Sequence, residues 1–418
     1  MKKLFITLSA LLAMCVSLSA EDSNVPHFKP YGFLRNYFTF DSRVSSAGTD
    51  DLYYWMPKDS KMVNGTDVNN VSSFRFAALT SRLGLDISGY EFSGYKVGGK
   101  FEADFYAGIT GNTGTAQFRL RQAFITVSKN NRSWKIGQAW HPMAADLPDI
   151  FSLESGAPFG PFSRTPLVQF DWKLTDALSL TTAALWQMQY VSPGPEGNSA
   201  NYIKYGCTPE IYAGISFKSG KTTLRLGGDV LSIKPRQVNS TGFAADRITT
   251  WIAFLYGASS IGKLDLKAKL TYANDGSHLN MIGGYGVTSI DDATGNWTFA
   301  PTRAATGWAT LSYKGLGKWV PSMLLGYSKQ FGTTVDVLGD KKEDGSYMYR
   351  FVKNSADVID YIFRVQPEVI YNLGKLQFGL EYMLTGVNYG VPNSRMLAID
   401  GLHLIMNHRV QMLVRLNF

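Results

Sequence analysis

From residue 409 to the end of the chain, polar and apolar residues alternate. Val410, Met412, Val414, Leu416 and Phe418 fall on one face of an extended segment, and Arg409, Gln411, Arg415 and Asn417 on the other, with Leu413 as the one interruption. A period of two with one apolar face predicts a half-buried strand. The pattern recurs in Leu264, Leu266, Ala268, Leu270 and Tyr272 against Asp265, Lys267, Lys269 and Thr271. It also recurs around Leu83, Leu85 and Ile87, and around Val97, Phe101, Ala103 and Phe105. Candidate strands fall at about 31–40, 74–88, 95–106, 117–128, 134–140, 166–172, 177–188, 209–218, 222–233, 247–257, 263–272, 304–313, 319–330, 357–371, 375–385 and 407–418, which makes about 16.

A soluble sandwich also alternates, but three features point elsewhere. Many of these strands run to ten residues or more, where globular strands average about five or six. Aromatic residues sit at strand ends (Trp134, Trp140, Trp172, Trp186, Trp319, Tyr371, Tyr382 and Phe418), as the girdles at two membrane interfaces require. Connections alternate between short turns such as Ser219-Gly220-Lys221 and Asn372-Leu373-Gly374, and long polar links at 41–73, 189–208, 273–303, 331–356 and 386–406. Because lipid cannot satisfy a free strand edge, such a sheet must close on itself. The expected fold is all-β, a transmembrane antiparallel β-barrel.

Composition agrees. Charged residues make up 18% of the 418 residues, below the roughly 25% of soluble domains, while hydrophobic content is an ordinary 45%. No stretch beyond the leader approaches the ~18 apolar residues of a membrane helix. Residues 1–20 read as a secretory signal peptide: Lys2 and Lys3, an apolar core from Leu4 to Val16, and a small-residue cleavage site ending at Ala20. A lipoprotein signal at Leu12-Ala13-Met14-Cys15 fits poorly because of its bulky Met. Residues 21–418 are then one barrel domain, and loss of Lys2 and Lys3 lowers the net charge from +8 to +6. Cys15 leaves with the leader, so Cys207 supports neither a disulfide framework nor a cysteine metal site.

The leader, the alternating final strand ending in Phe418 and about 16 strands together resemble the Gram-negative trimeric porins, over essentially the whole mature chain. Arg119-Leu120-Arg121-Gln122-Ala123-Phe124, followed by Ile136-Gly137-Gln138-Ala139-Trp140, is similar to the dicarboxylate-type (DcaP-like) porins. The chain departs from that pattern in residues 21–30, which leave no room for the family's helical N-terminal extension. The resemblance implies a homotrimer in outer-membrane lipid, inserted by the barrel-assembly machinery that reads Phe418 as its signal. It also implies passive diffusion of small hydrophilic solutes, or, in the narrower family, a channel for organic acids such as dicarboxylates.

In such porins the third long loop folds inward and narrows the pore; here that is 141–165. Pro142, Pro148, Pro158, Pro161 and Pro166 limit its backbone freedom, and it carries Asp146, Asp149 and Glu154. Strand parity aims Arg35, Arg82, Lys100, Arg119 and Arg121 inward, so acids on the loop would face bases on the wall across the narrowest section. Counted by parity over all strands, twelve inward bases against nine inward acids leave a surplus of three, enough for a modest anion preference.

Other signals carry little. Gly257 to Lys263 nearly spells a phosphate-binding loop, but Leu264 stands where Ser or Thr should reach magnesium. None of the five His (His27, His141, His278, His403 and His408) has metal-ligand spacing, although His141 opens the constriction segment and is a candidate for titration in the pore. There is no nucleophile motif, cofactor motif or basic patch for nucleic acid, so an enzyme is not expected. A non-conducting adhesin and a barrel-embedded hydrolase stand as the alternatives from other classes.

Overall fold

The computed structural model describes residues 25–49, 51–107 and 116–418. The signal peptide expected at 1–20 lies outside them. Sixteen strands form one barrel: β1 (His27–Asp41), β2 (Ser73–Ala77 continued by Arg82–Phe92), β3 (Tyr95–Ala107), β4 (Ala116–Lys129), β5 (Arg132–Trp140), β6 (Arg164–Lys173), β7 (Leu178–Leu185) and β8 (Glu210–Ser219) make the first half. The second half is β9 (Thr222–Ile233), β10 (Ile248–Ile261), β11 (Leu264–Asn274), β12 (Arg303–Tyr313), β13 (Trp319–Gly332), β14 (Ile359–Leu373), β15 (Leu376–Pro392) and β16 (Ala398–Asn417).

Each strand pairs antiparallel with its sequence neighbour, and β16 returns to β1 in the register Phe33↔Asn417 to Asp41↔Arg409. Backbone bonds from Gly32 N to Phe418 O and from Phe418 N to Gly32 O seal the seam at the chain's end. No barrel edge is left for lipid to meet.

The outer face is apolar: Leu255, Leu270 and Leu325 are all more than half exposed. On the turn side Trp134 stacks near Phe170 and Trp319 near Tyr371, both with ring centroids 4.7 Å apart. Two of the expected girdle aromatics do not lie there. Trp186 packs on a cluster of loop and strand residues around Tyr202 and Tyr285. Trp140 turns into the lumen, because Gly137 holds φ +130° and reverses the face beyond it.

The long link expected at 386–406 is also absent. β15 and β16 continue through it, paired from Thr385↔Asn407 to Tyr389↔His403 and joined by a tight turn near 393–397. The gap at 78–81 within β2 had no signal in the alternation; there Thr80 N bonds Phe105 O instead of a β1 partner. Above the barrel, short strands such as Gly284–Ile290, Trp297–Pro301 and Arg350–Val352 knit the long loops together.

Leu325 stands near the middle of β13 on the lipid face. Leu325→Arg should destabilise the barrel by about 2–4 kcal/mol, as charges do at the bilayer midplane. Urea unfolding from lipid vesicles reads this directly, and a cost near zero would mean that this face is not in lipid.

Candidate functional site: the lumen and its constriction

Segment 141–163 begins and ends at one place, where His141 N bonds Ser163 O at 3.0 Å, and between them it fills one side of the barrel. Inward side chains of distant strands hold its backbone. Tyr37 on β1 donates to Phe151 O at 2.9 Å, Arg364 on β14 donates to Ala157 O at 3.0 Å, and Lys269 on β11 donates to Met143 O. Phe151 N in turn donates to the Glu368 carboxylate at 3.0 Å.

The barrel wall is shaped to receive the segment. A Cβ on Gly326 would lie 2.4 Å from the Phe159 ring, and one on Gly379 would lie 2.7 Å from the Phe151 ring. Leu413, the interruption in the last strand's alternation, is inward and buried with Tyr37 and Phe151. An apolar residue on the water-facing side of a strand thus marks where the segment packs.

The three acids of the segment are spent on this attachment. Asp146 pairs with Arg225 at 2.6 Å, Asp149 pairs with Lys267 at 2.6 Å, and Glu154 lies 3.7 Å from Arg364, fully buried. None of the three lines the open passage. The facing rows of acid and base expected across the constriction are therefore not formed by these residues. The reason is desolvation: acids on the packed side of a buried segment must meet cations on the wall it covers.

A cavity of about 1020 Å³ lies open between the other face of the segment and the wall made by β1 to β6 and β16. The segment presents Leu147, Ile150, Phe151, Ser152, Leu153 and Ser155 to it, none of them charged. The wall and the overlying loops supply eight basic residues (Arg35, Lys58, Arg82, Arg119, Arg121, Arg164, Lys353 and Arg415) against two acidic ones, Asp51 and Asp104.

A hydrogen-bonded network sets the positions of these bases. Arg119 grips Asp104 with two bonds of 2.9 and 3.0 Å, while Arg121 bridges Glu102 at 2.8 Å and Asp104 at 2.7 Å. The register between β3 and β4 steps from Glu102↔Gln122 to Ala103↔Leu120, so Arg121 is the extra residue of a β-bulge that re-aims it toward both acids. Arg82 adds a longer contact to Glu102 at 3.4 Å.

Among the described residues, three arginines of the cavity have no carboxylate at ion-pair distance. Arg35 donates to the Thr80 hydroxyl at 2.8 Å, Arg415 donates to Gln377, and Arg164 lies over the Trp140 ring at 4.7 Å with one nitrogen unsatisfied.

Of the five bases expected to line the pore, Arg35, Arg82, Arg119 and Arg121 meet in this cavity. Lys100 does not; it is tied to Asp86 at 2.5 Å and to Tyr31 at 3.0 Å. His141, the candidate for titration in the pore, is buried and bonded to Glu210. Lys58, Arg164 and Lys353 were missed, Lys58 because it lies in the long link at 41–73. Arg164 precedes the first alternating residue of its strand, and Lys353 reaches the passage from a loop, which parity does not describe. Burial pushes the Lys353 amine down to about 8, against the opposing pull of Asp275. The amine stands 4.2 Å from the Tyr190 ring centre and donates to Ser277 O at 3.2 Å.

No protein-family model and no curated protein sequence matches the chain. Solved structures do. The outer membrane channel DcaP of Acinetobacter baumannii aligns with a TM-score of 0.68 at 20% identity, over 96% of this chain and 99% of that one. An anion-selective porin from Comamonas acidovorans aligns at 0.57 and 12% identity, over 94% and 100%. OmpF of Salmonella typhi, in a complex with daunomycin, aligns at 0.56 and 11% identity, over 96% and 99%. The likeness to porins read from the sequence thus extends over the whole three-dimensional arrangement, and the chain has the fold of the Gram-negative outer-membrane porins, the DcaP channel among them.

Proposed function

We propose that this protein is an outer-membrane channel for passive diffusion of small hydrophilic solutes that favours anions, with organic acids such as dicarboxylates as the best-matched solutes. The observation that carries this reading is the imbalance of the passage, eight basic residues to two acidic ones among the described residues. Rows of Arg and Lys in a narrow pore lower the barrier to anions. Arg35, Arg164 and Arg415, having no carboxylate of their own, present guanidinium groups to a passing one, and Arg matches a carboxylate with two parallel bonds. Tyr106, Trp140 and Tyr190 along the same cavity suit the carbon skeleton of such a solute.

The remaining expectations join this proposal. A homotrimer would cover the outward aromatics of β2 and β4, where Phe74, Phe76 and Phe118 are each more than half exposed. Phe418, exposed beside the β1/β16 seam, is the residue that the barrel-assembly machinery would read.

Two measurements in planar bilayers test the channel. Replacing Arg119→Ala together with Arg121→Ala removes two bases and leaves Glu102 and Asp104 without their closest partners. The ratio of anion to cation permeability should fall on the order of a few-fold, read from reversal potentials in a salt gradient. An unchanged potential would remove these residues from selectivity, and a closed bilayer after verified insertion would defeat the channel itself.

The second measurement is pH dependence. A lysine with its pKa pushed down to about 8 is charged at pH 7 and neutral at pH 9, so anion preference should decline between those values. Lys353→Gln should flatten that part of the profile; a variant that keeps the full decline would exclude Lys353 as its origin.

A further inference from the structure

Behind the packed segment, four ionisable side chains from four separate parts of the chain meet in the protein interior. His141 opens segment 141–163, Glu210 begins β8, Asp229 lies on β9, and His278 sits in the loop between β11 and β12. Each is at most 3% exposed. One ligand atom each from His141, Glu210 and Asp229 all lie within 4.8 Å of one another, and His278 Nε2 is 3.7 Å from Glu210 Oε2.

The cluster is electrostatically incomplete. Among the described residues, no Lys or Arg forms an ion pair with Glu210 or Asp229, and the side chains closest to Glu210 across the cluster include the two imidazoles. Neither carboxylate oxygen of Asp229 and neither ring nitrogen of His278 has a partner at hydrogen-bond geometry. The polar neighbours of Asp229 include Glu210, the Ile252 backbone and, at 4.0 Å, His141 Nε2. Two buried carboxylates so close together require a positive charge between them or a shared proton.

The tautomer of His141 says which groups remain open. Its Nδ1 accepts the Met143 backbone N–H at 3.1 Å, so Nε2 carries the ring proton and donates it to Glu210 Oε1 at 2.6 Å. That leaves Glu210 Oε2 with His278 Nε2 3.7 Å away, and both oxygens of Asp229 without a hydrogen-bond partner.

We propose that Glu210, Asp229 and His278 bind a divalent first-row transition-metal ion, with His141 orienting Glu210 from behind. Bonds of about 2.0–2.2 Å at tetrahedral angles set ligand atoms roughly 3.3–3.6 Å apart; the gap between His278 and Glu210 is 3.7 Å and that between Glu210 and Asp229 is within 4.8 Å, so side-chain rotation of His278 and Asp229 toward Glu210 completes the set. Two carboxylates neutralise the ion, and the imidazole favours Zn²⁺ or its neighbours over Mg²⁺ and Ca²⁺. A hydrogen-bonded group behind a metal-ligating carboxylate is the usual way such a ligand is held in place.

The ion would act as a staple. Phe162 N bonds Leu279 O at 2.8 Å, so the loop carrying His278 already grips the far end of the segment that His141 begins. Metal at this point ties both ends of the constriction to the wall and to the overlying loop.

Full-length protein purified from membranes, stripped with chelator and returned to Zn²⁺ or Co²⁺, should retain one ion per chain after desalting. The Co²⁺ form should show the visible absorption of a tetrahedral site. Asp229→Asn and His278→Ala should lower affinity at least tenfold, and His141→Ala by about 10–100-fold, as for groups behind a ligand. Heat-modifiable migration on gels establishes that each variant is a folded barrel. His278→Ala, in a loop outside the barrel wall, keeps the test open if strand variants fail to fold. Stripped wild-type protein that does not rebind metal, or folded variants that bind as tightly as wild type, would overturn the proposal in favour of a proton shared by the two carboxylates. Neither result bears on whether the barrel conducts.

Discussion

The lumen is organised by the burial of segment 141–163 against one wall of the barrel. A segment placed inside a closed sheet must satisfy its backbone polar groups from the surrounding wall. Arg364, Lys269, Tyr37 and Glu368 do this here, reaching inward from strands far apart in the chain. Gly326 and Gly379 leave room for Phe159 and Phe151, and Leu413 supplies an apolar contact where the strand pattern calls for a polar one. The sheet and its inserted segment are mutually fitted.

This attachment also sorts the charges. Asp146, Asp149 and Glu154 go to the side of Arg225, Lys267 and Arg364; the first two pairs are partly exposed, while Glu154 and Arg364 are buried, where a charge needs its counterpart close by. On the open side Arg82, Arg119 and Arg121 share Glu102 and Asp104, while Arg35, Arg164 and Arg415 have hydroxyl, amide and aromatic partners. A barrel with only a slight excess of inward bases thereby acquires a passage with a pronounced excess. In a narrow, partly desolvated section it is the local imbalance that a solute meets.

Much of the barrel was legible in the sequence because each strand writes its own two faces into alternate positions. All sixteen strands lie where the alternation put them, and the short turns fall at Gly and Asn as expected. The errors have local causes. Residues 386–406 looked like a loop because polar and glycine residues cluster there, yet the strands continue past the point where lipid demands strict alternation. Trp140 was assigned to a membrane girdle because nothing in the one-dimensional pattern announces that Gly137 reverses the face beyond it. The candidate site was legible only in part: parity located Arg35, Arg82, Arg119 and Arg121, but could not reach Lys353 in a loop or show that Lys100 is held by Asp86.

The sequence by itself determined the class of fold, the approximate strand count and the face on which most strand residues lie, since these follow from local periodicity and from the need to close every strand edge in lipid. It also marked 141–165 as a stiff, acid-bearing segment. Only the tertiary structure decided which wall that segment packs against, and with it which charges cancel and which stay exposed to a solute. It likewise decided that His141, Glu210, Asp229 and His278 meet. Their spacing in the chain carries no motif, because a barrel brings residues together across its strands and loops rather than along one element, and such proximity has no period to read.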